Sequence, residues 1–372
     1  MGIDNITMAD MLANSNRASL IQYAELSGIE FNKECKKKDL IDLIISDISN
    51  FPNKLLHLLP KEDIYKLHSM THNLKHEMAI KDTFYAGDCI TRIGLTGFKY
   101  DGKKFIEFIS HDLTIILKKH IDIFIENINN YSAKYDEEQL LLGLLNMYGI
   151  VSHQELFDLF KQYKKQISEN EFSQIIRGSY LIYSTSTKKY KELSYISPFM
   201  TDPSFYKQEI RKQKKISFAQ FTEEEIMMAG KSEFPLPPLR QSLESLKIVL
   251  KRIKESEAEI EEYISSMWTG INIDEDYLEL ISIQYNKTPD FPFNNTTIYS
   301  AEFVNKLTTA INEVAKSLPR WKYKGHSVEE VLAMKEKMKR STSPTRVRKR
   351  AVRYTSSPCD NNKKHPHSCK DN

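Results

Sequence analysis

Four side chains near the end of the chain, Cys359, His365, His367 and Cys369, are the residue types that most directly suggest chemistry. Thiolate sulfur and imidazole nitrogen both bind Zn²⁺, and four such donors within eleven residues are enough for one tetrahedral ion. Asp360, Asn361 and Asn362 permit the tight turn a small zinc knuckle needs. The same composition also suits the polar end of a flexible tail, so zinc binding and an unliganded tail both stand as expectations. Upstream lies "RVRKRAVR", where Arg346, Arg348, Lys349, Arg350 and Arg353 make the densest cationic run. Such a run contacts phosphates or an acidic partner, or only keeps a tail soluble. Residues 341–372 hold eight Lys or Arg against two Asp, a local charge of +6. The formal net charge is +3, so the other 340 residues carry −3.

The rest of the sequence offers little to a catalytic reading. Pro289-Asp290 with Glu302 suggests a nuclease metal site, but the lysine that should follow the glutamate by two is Val304. His111-Asp112 suggests a metal-dependent hydrolase, with no further cluster to support it. Gly94 and Gly97 are not followed by the Lys-Ser/Thr of a phosphate loop, and no nucleophile elbow or HExxH occurs. No catalytic residue or small-molecule substrate is assigned, and a nonenzymatic role is expected. Cys35 and Cys89 read as ordinary reduced thiols. The first residues, "MGIDNITMADML", lack a signal-peptide pattern, and "LLLGLLNMYGIV" (Leu140 to Val151) is too short for a bilayer. A cytoplasmic protein without membrane association is expected.

Stepping from those residues to the elements that must carry them, the hydrophobic fraction of 40% and charged fraction of 28% fit a multi-domain, soluble chain. Around residues 17–49 two short helices flank "KECKKKD". Leu20, Tyr23, Ala24 and Ile29 line one side, and Leu40, Leu43, Ile44 and Ile48 repeat at helical spacing on the other. Gly28, Ile29, Lys37, Lys38, Asp39, Leu40, Ile41 and Leu43 make this stretch resemble the SAP-like module at the N-terminus of transcription terminator Rho. The resemblance implies a small nucleic-acid-binding headpiece with Lys36, Lys37 and Lys38 nearest phosphate; the alternative is a solvated basic loop.

Residues 51–135 are read as a mainly helical linker, with a long helix from about Lys104 to Ile128 and glycine-rich turns before it. From Glu137 to Pro198 come a helix ended by Gly149, then helices opened by Ser152/Glu155 and Ser168/Glu171 capping boxes. "YLIYSTSTKKYKELSYIS" follows as two strands and a polar turn. This is the order of a winged helix, with Ser168 to Gly178 as recognition helix and Lys188, Lys189 and Lys191 on the wing. Glu169 and Glu171 against Arg177 fit a base-reading surface poorly, which favours a protein-contact role for this module. Beyond "FPLPPLR" a helical lobe is expected.

The tail in turn resembles the SEC-C knuckle: Pro358-Cys359, Lys363-Lys364 and Cys369 match that motif, while Ser357 and Ser368 replace two of its ligands. The expected architecture is mainly α and multi-module. It comprises a headpiece (1–50), a helical linker region (51–135), a winged-helix-like module with a short β-hairpin (136–200), a helical lobe (205–340) and a basic tail (341–372). The expected role is binding of DNA or RNA, with a protein-interaction adaptor as the alternative.

Overall fold

The computed structural model describes residues 6–73, 75–79, 88–100, 102–103, 105–188, 192–231, 234–253, 256–273 and 301–342. Among them are seventeen α-helices and six short strands, a mainly helical protein with two small antiparallel sheets. No helix among the described residues is long and apolar enough to cross a membrane. Met1–Leu332 form one compact unit and Ala333–Asn372 a second, in which the described part is the end of the helix Val328–Thr342.

The chain opens with α1 (Met8–Asn14), α2 (Arg17–Leu26) and α3 (Lys37–Asn50). Leu20, Tyr23 and Ala24 of α2 are buried with Leu40, Ile44 and Ile48 of α3, so the helical hairpin forms as the apolar spacing requires. Leu43, expected on that face, is instead exposed, because the buried stripe runs through Ile41 and Ile44. Then come α4 (Pro52–Leu58), α5 (Lys61–His72), β1 (Glu77–Ala79), α6 (Cys89–Ile93), β2 (Gly97–Tyr100), β3 (Phe105–Phe108) and α7 (His111–Glu126). The helix expected from Lys104 thus begins at His111. Its first residues alternate and pair as a strand, Ile106 opposite both Ala79 and Lys99. This first sheet has the order β1-β3-β2.

The helix α8 (Ser132–Tyr148) is buried almost all round over Leu140–Tyr148, as a stretch apolar on every side must be. Gly149 ends it at φ +80°, where an L side chain is strained, and a Cβ would approach Trp321 Cγ to 2.6 Å. After it run β4 (Ile150–Ser152), α9 (His153–Lys161), α10 (Glu169–Arg177), α11 (Tyr180–Ser184), β5 (Ser186–Thr187) and β6 (Ser194–Ile196). The Ser152/Glu155 and Ser168/Glu171 capping boxes are both formed. The segment expected as the first strand of the hairpin is largely α11, started by Ser179 and buried through Tyr180, Leu181 and Ile182. Strand β4 was hidden in sequence by its brevity. With it the sheet order is β4-β6-β5, antiparallel throughout.

The helices α12 (Pro203–Lys212), α13 (Glu223–Ala229), α14 (Gln241–Leu250) and α15 (Glu257–Ile273) and the helix Ala301–Ser317 complete the first unit. Hydrogen bonds between side chains and backbone tie α8 to this region: Asn146 Nδ2 donates to Ala229 O of α13 at 2.8 Å, Trp321 Nε1 to Asn146 O at 2.7 Å, and Tyr148 Oη to Ala219 O in the loop before α13 at 2.7 Å. One continuous hydrophobic core runs from Met8 to Leu318 and joins headpiece, linker, winged-helix-like and C-terminal segments.

Candidate nucleic-acid interface

The headpiece lysines sit at the start of α3. Lys36 occupies its N-cap position without capping it, and Lys36 and Lys38 are exposed. Lys37 is half-buried, with Nζ donating to Ala13 O at 2.6 Å, so its charge is partly spent inside the fold. The loop before them is pinned by Arg17, whose guanidinium donates to the carbonyls of Lys33 and, at 3.1 Å, Cys35. This holds the lysines on a fixed platform.

The helix α11 packs on α2, so the headpiece meets the winged-helix-like unit. Between them lies a cavity of about 490 Å³ whose walls include Glu25, His153, Ser173, Arg177, Tyr183 and Lys188. Among the described residues, Glu25 is the one carboxylate on those walls. Lys33 reaches it at 3.0 Å and Tyr183 Oη donates to it at 3.0 Å. Partial burial pushes the Glu25 carboxyl up, but those two hydrogen bonds and the charges of Lys33 and Lys188 outweigh it and hold it below the ordinary value. Among the charged residues on the walls, Arg177 and Lys188 outnumber Glu25, which is also paired with the exposed Lys33, so the cleft carries an excess of positive charge.

On α10 the two glutamates stand in the first turn, where negative charge suits the helix N-terminus. Glu171 is also occupied: it accepts from Ser168 N at 2.8 Å and Ser168 Oγ at 2.7 Å, and these bonds hold its carboxyl below the usual range. Starting in the same turn, Asn170, Gln174 and Arg177 follow at helical spacing and are exposed. These are side chains able to bond base edges. Lys161, Lys164 and Lys165 lie at the end of α9, with Lys164 4.0 Å from Glu223.

Of the cationic residues expected to contact nucleic acid, Lys36, Lys37, Lys38 and Lys188 are placed, and Lys188 joins the cleft beside α10 while Lys37 turns inward. Lys189, Arg346, Arg348, Lys349, Arg350 and Arg353 lie outside the described residues, as do Cys359, His365, His367 and Cys369, the zinc expectation with them. Arg177 completes the cleft, and Lys33 pairs with its Glu25; in the sequence Arg177 stands out only as a minority cation on an acidic helix. His111-Asp112 serves structure: Asp112 accepts from the backbone N of Met8 through both oxygens (3.1 and 3.0 Å), anchoring α1.

Three acids do converge in the interior. Lys66 on α5 pairs with Asp88 at 3.0 Å and Glu107 of β3 at 2.6 Å, and Thr91 Oγ1 stands 2.6 Å from Asp88 and 2.9 Å from Glu107. Asp63 accepts from the backbone N of Cys89 (2.7 Å) and Ile90 (3.2 Å), starting α6. Burial pushes the Lys66 ammonium down, but Asp88, Glu107 and Asp63 together carry it above the ordinary lysine value. These acids are neutralised by a buried lysine, main-chain amides and a hydroxyl, the pattern of a structural tie.

A different cluster escaped the sequence reading. His68 and His72, one turn apart on α5, face Asp122 of α7. Its signal was the spacing "HSMTH", which puts two imidazoles on one helix face. No family model, curated protein or solved structure matches this chain.

Proposed function

We propose that this protein binds nucleic acid without transforming it. The α10 stripe Asn170, Gln174 and Arg177 would face the ligand, with Lys188 beside it. Lys36 and Lys38 of the headpiece and the Arg346–Arg353 run add sequence-independent phosphate contacts. The observation that supports this most is the strand order β4-β6-β5 with α9 and α10 in its crossover, which brings Arg177 and Lys188 to one cleft. That is the arrangement in which winged helices present a helix and a wing to a duplex. The Rho- and SEC-C-like resemblances at the two ends point the same way.

The mobility of labelled DNA and RNA in dilute buffer tests the proposal. Intact protein retards at least one of them, and Arg177→Ala/Lys188→Ala weakens the shift. If neither nucleic acid is retarded, the proposal fails. An adaptor role is the second reading. It is supported by the β2–β3 hairpin, where Phe98, Tyr100 and Phe105 are 52%, 59% and 61% exposed. A partner retained after nuclease treatment and high salt would favour it.

A further inference from the structure

The histidine pair on α5 has the geometry of a metal centre. His68 Nε2 and His72 Nε2 lie 3.5 and 3.2 Å from Asp122 Oδ1. In a tetrahedral zinc site with bonds of about 2.0–2.1 Å, neighbouring ligand atoms stand roughly 3.3 Å apart. The two separations from Asp122 Oδ1 bracket the edge of such a tetrahedron, and all three ligand atoms lie within 4.8 Å of one another.

The ring orientations are set from behind. His72 Nδ1 donates to His68 O at 2.9 Å, which fixes the tautomer and leaves the Nε2 lone pair facing Asp122. Thr71 Oγ1, also bonded to His68 O at 2.9 Å, lies 3.2 Å from the same nitrogen. Asp122 Oδ1 is buried from solvent yet has no hydrogen-bond partner among the described residues, although two ring nitrogens stand close to it. A carboxylate oxygen so enclosed is short of a donor, and a cation between the three atoms would supply what it lacks. The helices are held rigidly enough to keep the site: α5 packs on α7 through buried Ile64, Leu67 and Met70 on one side and Leu117, Ile121 and Phe124 on the other.

The geometry points to a binding site for one divalent transition-metal ion, Zn²⁺ by preference, held by His68, His72 and Asp122. Two imidazoles and one carboxylate favour Zn²⁺ and its neighbours over Mg²⁺ or Ca²⁺, which take all-oxygen sets. The three side chains are 37%, 38% and 41% exposed, so solvent reaches the remaining coordination position. The ion would clamp α5 to α7 while keeping that position open to water or a ligand. This site is independent of the nucleic-acid reading and of the tail donors.

Metal content of the purified full-length protein, loaded with zinc and then desalted, tests it. Tail and helix sites separate through variants. Cys359→Ser/Cys369→Ser retains one zinc per chain, and adding His68→Gln/His72→Gln removes it. Co²⁺ bound to the cysteine variant gives tetrahedral d–d absorption without a thiolate charge-transfer band. Because His68 and His72 are partly exposed, the histidine variant keeps the parent's circular dichroism, and zinc raises the melting temperature of the parent but not of the variant. Zero zinc in the cysteine variant, or zinc unchanged by the histidine substitutions, overturns the assignment.

Discussion

The two sheets share one strand order and use it in opposite ways. In β1-β3-β2 and β4-β6-β5 alike, the last strand lies in the middle. In the first sheet the central strand points Glu107 inward, where it joins Lys66, and the hairpin shows aromatic rings outward, with Tyr100 and Phe105 5.2 Å apart. In the second, the crossover is long enough to hold α9, α10 and α11, and charge is carried outward on Arg177 and Lys188. The same topology thus serves two different placements of charge, one turned inward and one outward. Breaking the inner network should cost stability, and breaking the outer set should cost binding.

The largest effect expected is Lys66→Met. It leaves Asp88 and Glu107 without their cation and should destabilise the fold by about 3–5 kcal/mol, the range for removing one partner of a buried ion pair. Urea unfolding measures this, and a loss below about 1 kcal/mol would show that the network contributes little. Glu138 sharpens the contrast, because its pairing is poor. It is buried, Lys134 stands 3.9 Å off and donates instead to Leu59 O, and one of its oxygens has no hydrogen-bond partner among the described residues. Burial raises its carboxyl above the ordinary value despite the opposing effects of Lys134 and the Ser179 hydroxyl.

The sign follows from that shift. The folded state holds the Glu138 proton more tightly than the unfolded chain, so this group's contribution is full below pH ~4.3 and declines as pH rises through the raised folded value. Glu138→Gln should remove that decline and gain about 1–2 kcal/mol at neutral pH, read from melting curves across pH. No gain would mean that the carboxylate is solvated or paired after all. Smallest is Tyr100→Ser on the exposed hairpin, which should change stability by less than about 0.5 kcal/mol. A larger loss would show that the aromatic pair is part of the core.

How much could be read beforehand differs by element. The capping boxes at Ser152 and Ser168 are local, so sequence spacing sufficed. The segment Tyr180–Ser184 reads as strand because Ile182 and its tyrosines favour strands, whereas Ser179 caps a helix there and the core accepts it. The β5–β6 hairpin falls within the expected strand–turn–strand stretch, whereas the three residues of β4 carry too little periodicity to be seen. The headpiece lysines were legible as charge; that Lys37 turns inward to Ala13 is a tertiary fact 24 residues away in sequence. Pairings such as Lys66 with Glu107 and His72 with Asp122 join separate elements, so their partners could not be chosen without the fold.

The central claim is that Arg177 and Lys188, set by the second sheet, grip a polyanion. Fluorescence anisotropy of a labelled duplex across 50–200 mM salt tests it most directly. The intact protein should show log affinity falling linearly with log salt, and Arg177→Ala/Lys188→Ala should lower that slope by about 2 while leaving unfolding unchanged. Identical slopes for the two proteins would contradict the account.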